Sequence, residues 1–318
     1  VEKRKIIIDC DPGQDDALAL FLALASPDEL ELLAITTVAG NVPLELTERN
    51  ARMMCDIAGR TDVKVFAGCE RPLEREPISA EHVHGETGIN GVDIFEPQTG
   101  LQQQHAVDYL VETLGAAADA SITLVPTGPL SNIAALIRKD AAVLKAVKEI
   151  VLMGGAMREG GNYTPSAEFN IVADPHAADI VFNCGRPITV MGLDVTHQVL
   201  SSSERVARIA ALGNRVATAA AGMLNYFDAY DVSKYGSDGA PLHDPCTVAF
   251  LLRPDLFASK AVNVSVETGS SLTLGHTAVD YWGVSNRPTN CNWVHRVDAD
   301  GFYDLLTERL ARFGECSD

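Results

Sequence analysis

Between the β-branched run Ile6-Ile7-Ile8 and the apolar stretch from Leu18 to Leu24 lies the segment Asp9-Cys10-Asp11-Pro12-Gly13-Gln14-Asp15-Asp16-Ala17, which carries four carboxylates. Carboxylates so crowded repel and raise one another's pKa, so a site that keeps them ionised normally supplies a cation to share. Pro12 and Gly13 suit a tight strand-to-helix turn, and alternation along a strand sends Asp9 and Asp11 to the same side. Asp15 and Asp16 would then open the helix. Capping accounts for two of the four, because acidic side chains suit the positive end of a helix dipole. It leaves the other two unexplained, and the segment reads as a metal site.

Three familiar motifs fit poorly. An EF-hand loop would need an oxygen ligand at Gly13 and a bidentate Glu at Leu20. A phosphate-binding loop of the Walker type needs Gly-Lys-Ser/Thr, which is absent here. A phosphatase of the haloacid dehalogenase type would carry Asp-x-Asp-x-Thr or Val, whereas Gly13 follows Pro12. A metal-dependent phosphoesterase would also want Lys or Arg near the carboxylates to clamp phosphate, and none lies between Lys5 and Arg49.

These groups need a scaffold. With 318 residues, 47% of them hydrophobic, the chain can bury a substantial core. Its formal charge of −18 argues against a nucleic acid partner, which clustered Lys and Arg would have to neutralise. No apolar run approaches the roughly 20 residues of a membrane helix. The start, Val1-Glu2-Lys3-Arg4-Lys5, leads straight into a strand and does not read as a signal peptide. Val1 in place of Met suggests a trimmed start, and cytoplasm is the expected compartment. Seven scattered cysteines without Cys-x-x-Cys spacing imply neither a disulfide framework nor a zinc site.

Strand-like runs at 5–11, 32–40, 63–67, 122–127, 150–154 and 188–194 alternate with helical patterns at 15–26, 43–58, 105–118, 129–147 and 174–184. The runs are apolar on both faces, which predicts a doubly wound α/β fold: a mostly parallel central sheet with helices on both faces. Ligands of such sheets bind beyond the carboxyl ends of the strands. There the sequence places Asp11, Gly40-Asn41, Pro126-Thr127-Gly128, Gly154-Gly155 and Asp194. Two long connections, 68–104 and 156–173, invite function. From about 200 the patterns are helical at 203–212, 214–230 and 244–252, then strand-like at 261–268 and 272–281, with a last helix at 301–313. Without repeats or a linker, a single domain over 1–318 is expected.

Asp-x-Asp-Pro-Gly-x-Asp-Asp-Ala after a first strand resembles the signature of the nucleoside hydrolases, which cleave the N-glycosidic bond of ribonucleosides. Further segments resemble that family in the same order: Val38-Ala39-Gly40-Asn41, His84-Gly85-Glu86-Thr87-Gly88, the stretch from Val125 to Asn132, Val151-Leu152-Met153-Gly154-Gly155, Ala167-Glu168-Phe169-Asn170 and His243-Asp244-Pro245. The resemblance spans nearly the whole chain.

It implies a nucleoside hydrolase-like, Rossmann-like catalytic domain that holds one Ca²⁺ through Asp11, Asp16, the Thr127 carbonyl and Asp244. Hard oxygen donors of this kind suit Ca²⁺. By the same resemblance Asp11 is the general base, and Asp15, Asn41, Asn162, Glu168 and Asn170 grip the ribose hydroxyls with Met153 against the sugar. Glu168 would stabilise an oxocarbenium-like transition state. His243 is the matched leaving-group acid, with His84 a second base-side candidate. Phe169 falls in a matched segment and joins the substrate-binding set, although alone it would read as core.

The stretch 225–236 should contact the base, with Tyr235 the candidate within it. Asp231 departs from the Tyr or Gln expected at the matching place. Trp282 and Trp293 lie outside every matched segment, so tryptophan stacking of a purine is not expected, and the lean is toward pyrimidines or an inosine-uridine type. His105, His176, His197, His276 and His295 have no motif context and are read as structural. The resemblance also implies a homo-oligomer, dimer or tetramer, acting on a small ribonucleoside without nucleic acid or membrane partners. The alternative reading is a noncatalytic nucleoside or ribose sensor on the same fold.

Overall fold

The computed structural model describes residues 3–235 and 239–314, with the side chains of 228–235 outside that description. Ten strands form one sheet: β1 (Arg4–Cys10), β2 (Leu30–Thr37), β3 (Val65–Ala67), β4 (Leu101–Gln102), β5 (Ile122–Pro126), β6 (Val147–Met153), β7 (Ile188–Met191), β8 (Phe257–Val266), β9 (Thr277–Asp280) and β10 (Cys291–Val297). Their order is β4-β3-β2-β1-β5-β6-β7-β10-β8-β9. Every pairing from β4 to β10 is parallel, and β8 and β9 add an antiparallel extension.

The helices are α1 (Gln14–Leu24), α2 (Leu44–Ile57), α3 (Glu81–His84), α4 (Ala106–Ala116), α5 (Ser131–Lys139), α6 (Phe169–Ala173), α7 (Pro175–Phe182), α8 (Leu193–Thr196), α9 (Ser203–Ala210), α10 (Arg215–Tyr235), α11 (Pro245–Leu252) and α12 (Ala299–Ala311). They cover the sheet on both sides, and β1 shows how. Ile6 and Ile8 join a core with residues of α1, α2, α10, α11 and α12, whereas Ile7 packs with α4, α5 and α7. Strand side chains alternate between faces, so a strand covered twice must be apolar at every position. All eleven residues of α1 are buried, as expected of a helix without a polar stripe.

The chain runs from β1 outward to β4, then returns to place β5 on the other side of β1. This reversal opens a crevice at the carboxyl ends of β1 and β5, where Asp11 and Thr127 emerge side by side. Thr127 N–H donates to the Asp9 carbonyl at 2.8 Å and fixes that register.

Several boundaries differ from the sequence reading. The helix expected over 129–147 ends at Lys139, where Asp140 leaves helical geometry and caps a 3₁₀ turn, Ala141–Ala146. The helix expected over 174–184 is α7, started by the Asp174 cap with Pro175 behind it, and the short α6 lies just before it inside the connection 156–173. The strand expected over 188–194 ends at Met191, and Asp194 sits inside α8. Only Thr277–Asp280 of the expected 272–281 strand pairs, because its partner β8 ends at Val266. β4 and β10 were not read from sequence: β4 is two residues long, and β10 mixes buried Trp293 and Val294 with exposed Asn292 and Arg296.

Candidate active site

Asp11 occupies the switch-point crevice. Its Oδ2 accepts the backbone N–H of Asn41 at 2.7 Å, and Asn41 Nδ2 returns a bond to the Asp11 carbonyl at 3.0 Å. A Cβ on Gly40 would lie 2.1 Å from Asp11 Oδ2, and one on Gly128 would lie 2.3 Å from Oδ1. Only glycine on both flanking strands leaves room for this carboxylate. Asp11 Oδ1 is fully buried with no hydrogen-bond partner among the described residues, an arrangement costing roughly 1–3 kcal/mol or more for a polar group.

Beside it, Asp16 at the third position of α1 accepts Gly13 N–H at 3.0 Å and the Thr127 hydroxyl at 2.8 Å. Asp15, Asp16 and Asp244 bring carboxylate oxygens within 4.8 Å of one another, all buried. Burial, and then the neighbouring negative charges, push these groups up: Asp15 to about 7, Asp11 and Asp244 well above the usual carboxylate range. Four buried carboxylates cannot all ionise unaided, so a shared cation is the natural complement. The donors are all oxygens, and the orphaned Asp11 oxygen adds a further one, a set that suits a hard divalent ion. The cluster can hold a metal ion.

Asp9 does not belong to it. Its Oδ1 accepts from the Thr36 hydroxyl at 2.6 Å and from Asn132 Nδ2 at 2.8 Å. Those partners belong to β2 and α5, and burial raises the Asp9 pKa to about 7. Three acidic residues of the opening motif, together with Asp244 from the far end of the chain, therefore build the cluster, not the four of the motif.

A pocket of about 520 Å³ opens above this floor, lined by Asp15, Asn41, His84, Thr127, Met153, Asn162, Glu168, Phe169, Asn170, His243 and Asp244. Asp11 and Asp16 lie beneath it. Asn170 Nδ2 donates to the carbonyls of Thr127 (2.7 Å) and Met153 (3.2 Å), tying the ends of β5 and β6 together. Glu168 and Asn170 do not sit on one extended stretch. Glu168 caps α6 instead, accepting the N–H groups of Asn170, Gly155 and Ile171 at 2.9, 2.9 and 3.2 Å. Asn162 Oδ1 accepts Phe169 N–H at 2.9 Å. A cavity of about 1200 Å³ lies at the opposite, amino end of the strands, with Lys5, Lys64 and Lys148 around it. It contains none of the expected site residues.

One wall of the active pocket is aromatic. His84 Nδ1 lies 2.5 Å from Gln14 Oε1, and its ring stacks on Phe227 at 5.7 Å. His243 Nδ1 meets the Thr196 hydroxyl at 2.8 Å. Burial depresses both imidazoles to about 3, so both are neutral near pH 7. Tyr163 packs on Phe169 at 5.5 Å and faces His82 at 6.4 Å.

His82, Glu159, Tyr163 and His197 line the pocket although sequence reasoning did not single them out. His197, read as structural, is corrected to a pocket residue. The two long connections were the available signal, because Glu159 and Tyr163 fall in 156–173 and His82 in 68–104. Phe227 lies in the stretch expected to meet the base and does line the pocket, while Tyr235 lies outside the described side chains. Trp293 is buried beneath Gly155 and Gly192 and Trp282 is 76% exposed, so neither reaches the pocket.

Residues 6–304 match the family model described as inosine-uridine preferring nucleoside hydrolase. An uncharacterised Schizosaccharomyces pombe protein is 51% identical over 97% of this chain and 99% of its own. The Photobacterium profundum pyrimidine-specific ribonucleoside hydrolase RihA is 50% identical over 98% of this chain and 99% of its own. A solved structure, the purine-preferring ribonucleoside hydrolase from Gardnerella vaginalis, superposes with a TM-score of 0.91 at 32% identity, covering 99% of this chain and all of that one. The chain belongs to the nucleoside hydrolase family, and it is a hydrolase of the N-glycosidic bond of ribonucleosides.

Proposed function

We propose that the protein is a Ca²⁺-dependent ribonucleoside hydrolase with a preference for pyrimidine nucleosides. The observation that carries this reading is the convergence of Asp15, Asp16 and Asp244 at the switch point, with Asp11 in electrostatic contact with Asp16 and carrying a buried, unpaired oxygen. Asp11, Asp16, Asp244 and the Thr127 carbonyl would hold the ion. When bound, Ca²⁺ supplies Lewis acidity that lowers the pKa of a nearby water and anchors vicinal hydroxyls.

Asp11 is aligned by Asn41 and accepts a proton from the attacking water at its free Oδ1. Asp15, Asn41, Asn162 and Asn170 orient the ribose over Met153. Glu168 uses backbone donors to stay fixed, and its charge stabilises the cationic character that develops at the sugar. His243, held neutral by burial near pH 7, takes up a proton as negative charge develops on the base and passes it to that base, with His84 and Phe227 against the base ring.

Pyrimidine preference is supported by the 50% identity to the Photobacterium enzyme and by a pocket without tryptophan. The test is reducing-sugar release from uridine, cytidine, inosine, adenosine and their 2′-deoxy forms, with and without a Ca²⁺ chelator. Release should be chelator-sensitive, restored by Ca²⁺, fastest with pyrimidine ribonucleosides and absent with deoxynucleosides. Binding without release from any nucleoside would replace this reading with the sensor.

A further inference from the structure

His197 directly follows α8 and lines the base end of the pocket. Its Nδ1 lies 3.2 Å from Glu159 Oε2, and its ring centroid lies 5.7 Å from that of His243 with the planes tilted by 56°. Thr196, the residue before it, holds His243 Nδ1 at 2.8 Å. Two consecutive residues at one helix end thus bracket a single imidazole, one at its nitrogen and one at its ring.

The loop that carries Glu159 is fastened to the same helix. Asp194 accepts the backbone N–H groups of Met157 and Arg158 at 2.7 Å each, which sets Glu159 opposite His197. Gln198 fixes the helix end from the other side, donating to the carbonyls of Asp194 (2.6 Å) and His295 (3.0 Å). A partly exposed Glu–His contact adds little to stability, so such anchoring points to a demand for geometry at the pocket.

We propose that Glu159 and His197 are positioning residues for departure of the base, acting through His243. This rests on His243 being the leaving-group acid. A carboxylate can only accept, so Glu159 selects the His197 ring with its proton on Nδ1 and fixes the plane of that ring. His197 then buttresses the His243 imidazole in the orientation from which its proton reaches the departing nitrogen. As the C1′–N bond breaks, its electron pair passes to the base nitrogen, which takes the proton from the His243 imidazolium and leaves a neutral imidazole. Glu159 and His197 neither gain nor lose one.

The experiment compares uridine with p-nitrophenyl β-D-ribofuranoside, whose phenolate leaves without protonation, in the His197→Ala, Glu159→Ala, Glu159→Gln and His243→Ala variants of the Ca²⁺-loaded enzyme. His197→Ala should lower kcat for uridine by about 10–100-fold, the scale of a misplaced catalytic group, with KM and nitrophenyl riboside turnover within about threefold. Glu159→Ala should follow it, and Glu159→Gln, whose amide oxygen still accepts, should retain most uridine turnover. The double variant His197→Ala/His243→Ala should be no slower than His243→Ala alone, because both act in one unit.

Equal losses on both substrates, no loss on either, or additive losses in the double variant would overturn the proposal. If His243→Ala itself fails to separate the two substrates, the acid assignment falls. If it separates them and His197→Ala does not, only the positioning role falls.

Discussion

The floor and the wall of the pocket are built on opposite principles. The floor, Asp11, Asp16, Asn41, Thr127 and Asn170, sits at strand ends and a helix start, and short hydrogen bonds to neighbouring backbone fix each polar group. The wall, His82, His84, Tyr163, His197, Phe227 and His243, comes from loops, short helices and the middle of α10, which meet mainly through ring contacts. The difference teaches a division of labour. On the proposed function, a rigid oxygen-lined floor would treat every ribose alike, whereas a looser aromatic wall could be altered without disturbing the chemistry beneath it.

The largest effect should come from the floor. Asp11→Ala should lower turnover by roughly 10⁴-fold, the upper range for a lost general base, equally for every nucleoside and with an unchanged circular dichroism spectrum. Substantial residual turnover would break the comparison at its centre. Glu168→Gln keeps a group able to cap α6 but removes the charge, and should lower kcat by about 10²–10³-fold, again without reordering the bases in steady-state assays.

At the wall, His84→Ala should change the ratio of kcat/KM between uridine and inosine by an amount on the order of 1–3 kcal/mol, as expected when one contact in a specificity pocket is lost. A uniform loss for all bases would instead place His84 with the floor.

Proton linkage separates the two regions further. The Asp15 carboxyl is pushed up to about 7 chiefly by burial, so the metal-free floor takes up protons as pH falls through that value. An ion must displace them, and Ca²⁺ affinity measured by calorimetry should be weaker at pH 6 than at pH 8. The smallest effect concerns Asp9, outside the cluster. Its folded pKa of about 7 lies above the ordinary value of 3.8, so the folded state binds its proton more tightly, and this group's contribution to stability falls as pH rises between those values and levels off above about 7. Asp9→Asn should keep turnover within about threefold and flatten the decline in melting temperature between about pH 5 and 7.5 in the Ca²⁺-loaded protein.

The sequence by itself determined the parallel sheet, because strands buried on both faces must be apolar throughout, and it exposed the acidic turn, because four carboxylates in one short segment exceed what capping requires. The family resemblance also marked eleven residues that line the pocket, ten of them inside the ordered segments. Tertiary structure alone decided which carboxylates lie together. Asp9 turns to Thr36 and Asn132, and Asp244 arrives from α11 to take a place beside Asp15 and Asp16. It also decided that Glu168 caps a helix and that His197 faces His243. The physical reason is range: turn chemistry and periodicity act over a few neighbouring residues, whereas the contacts that complete this site join strand ends and loops whose proximity exists only once the sheet has assembled around its switch point.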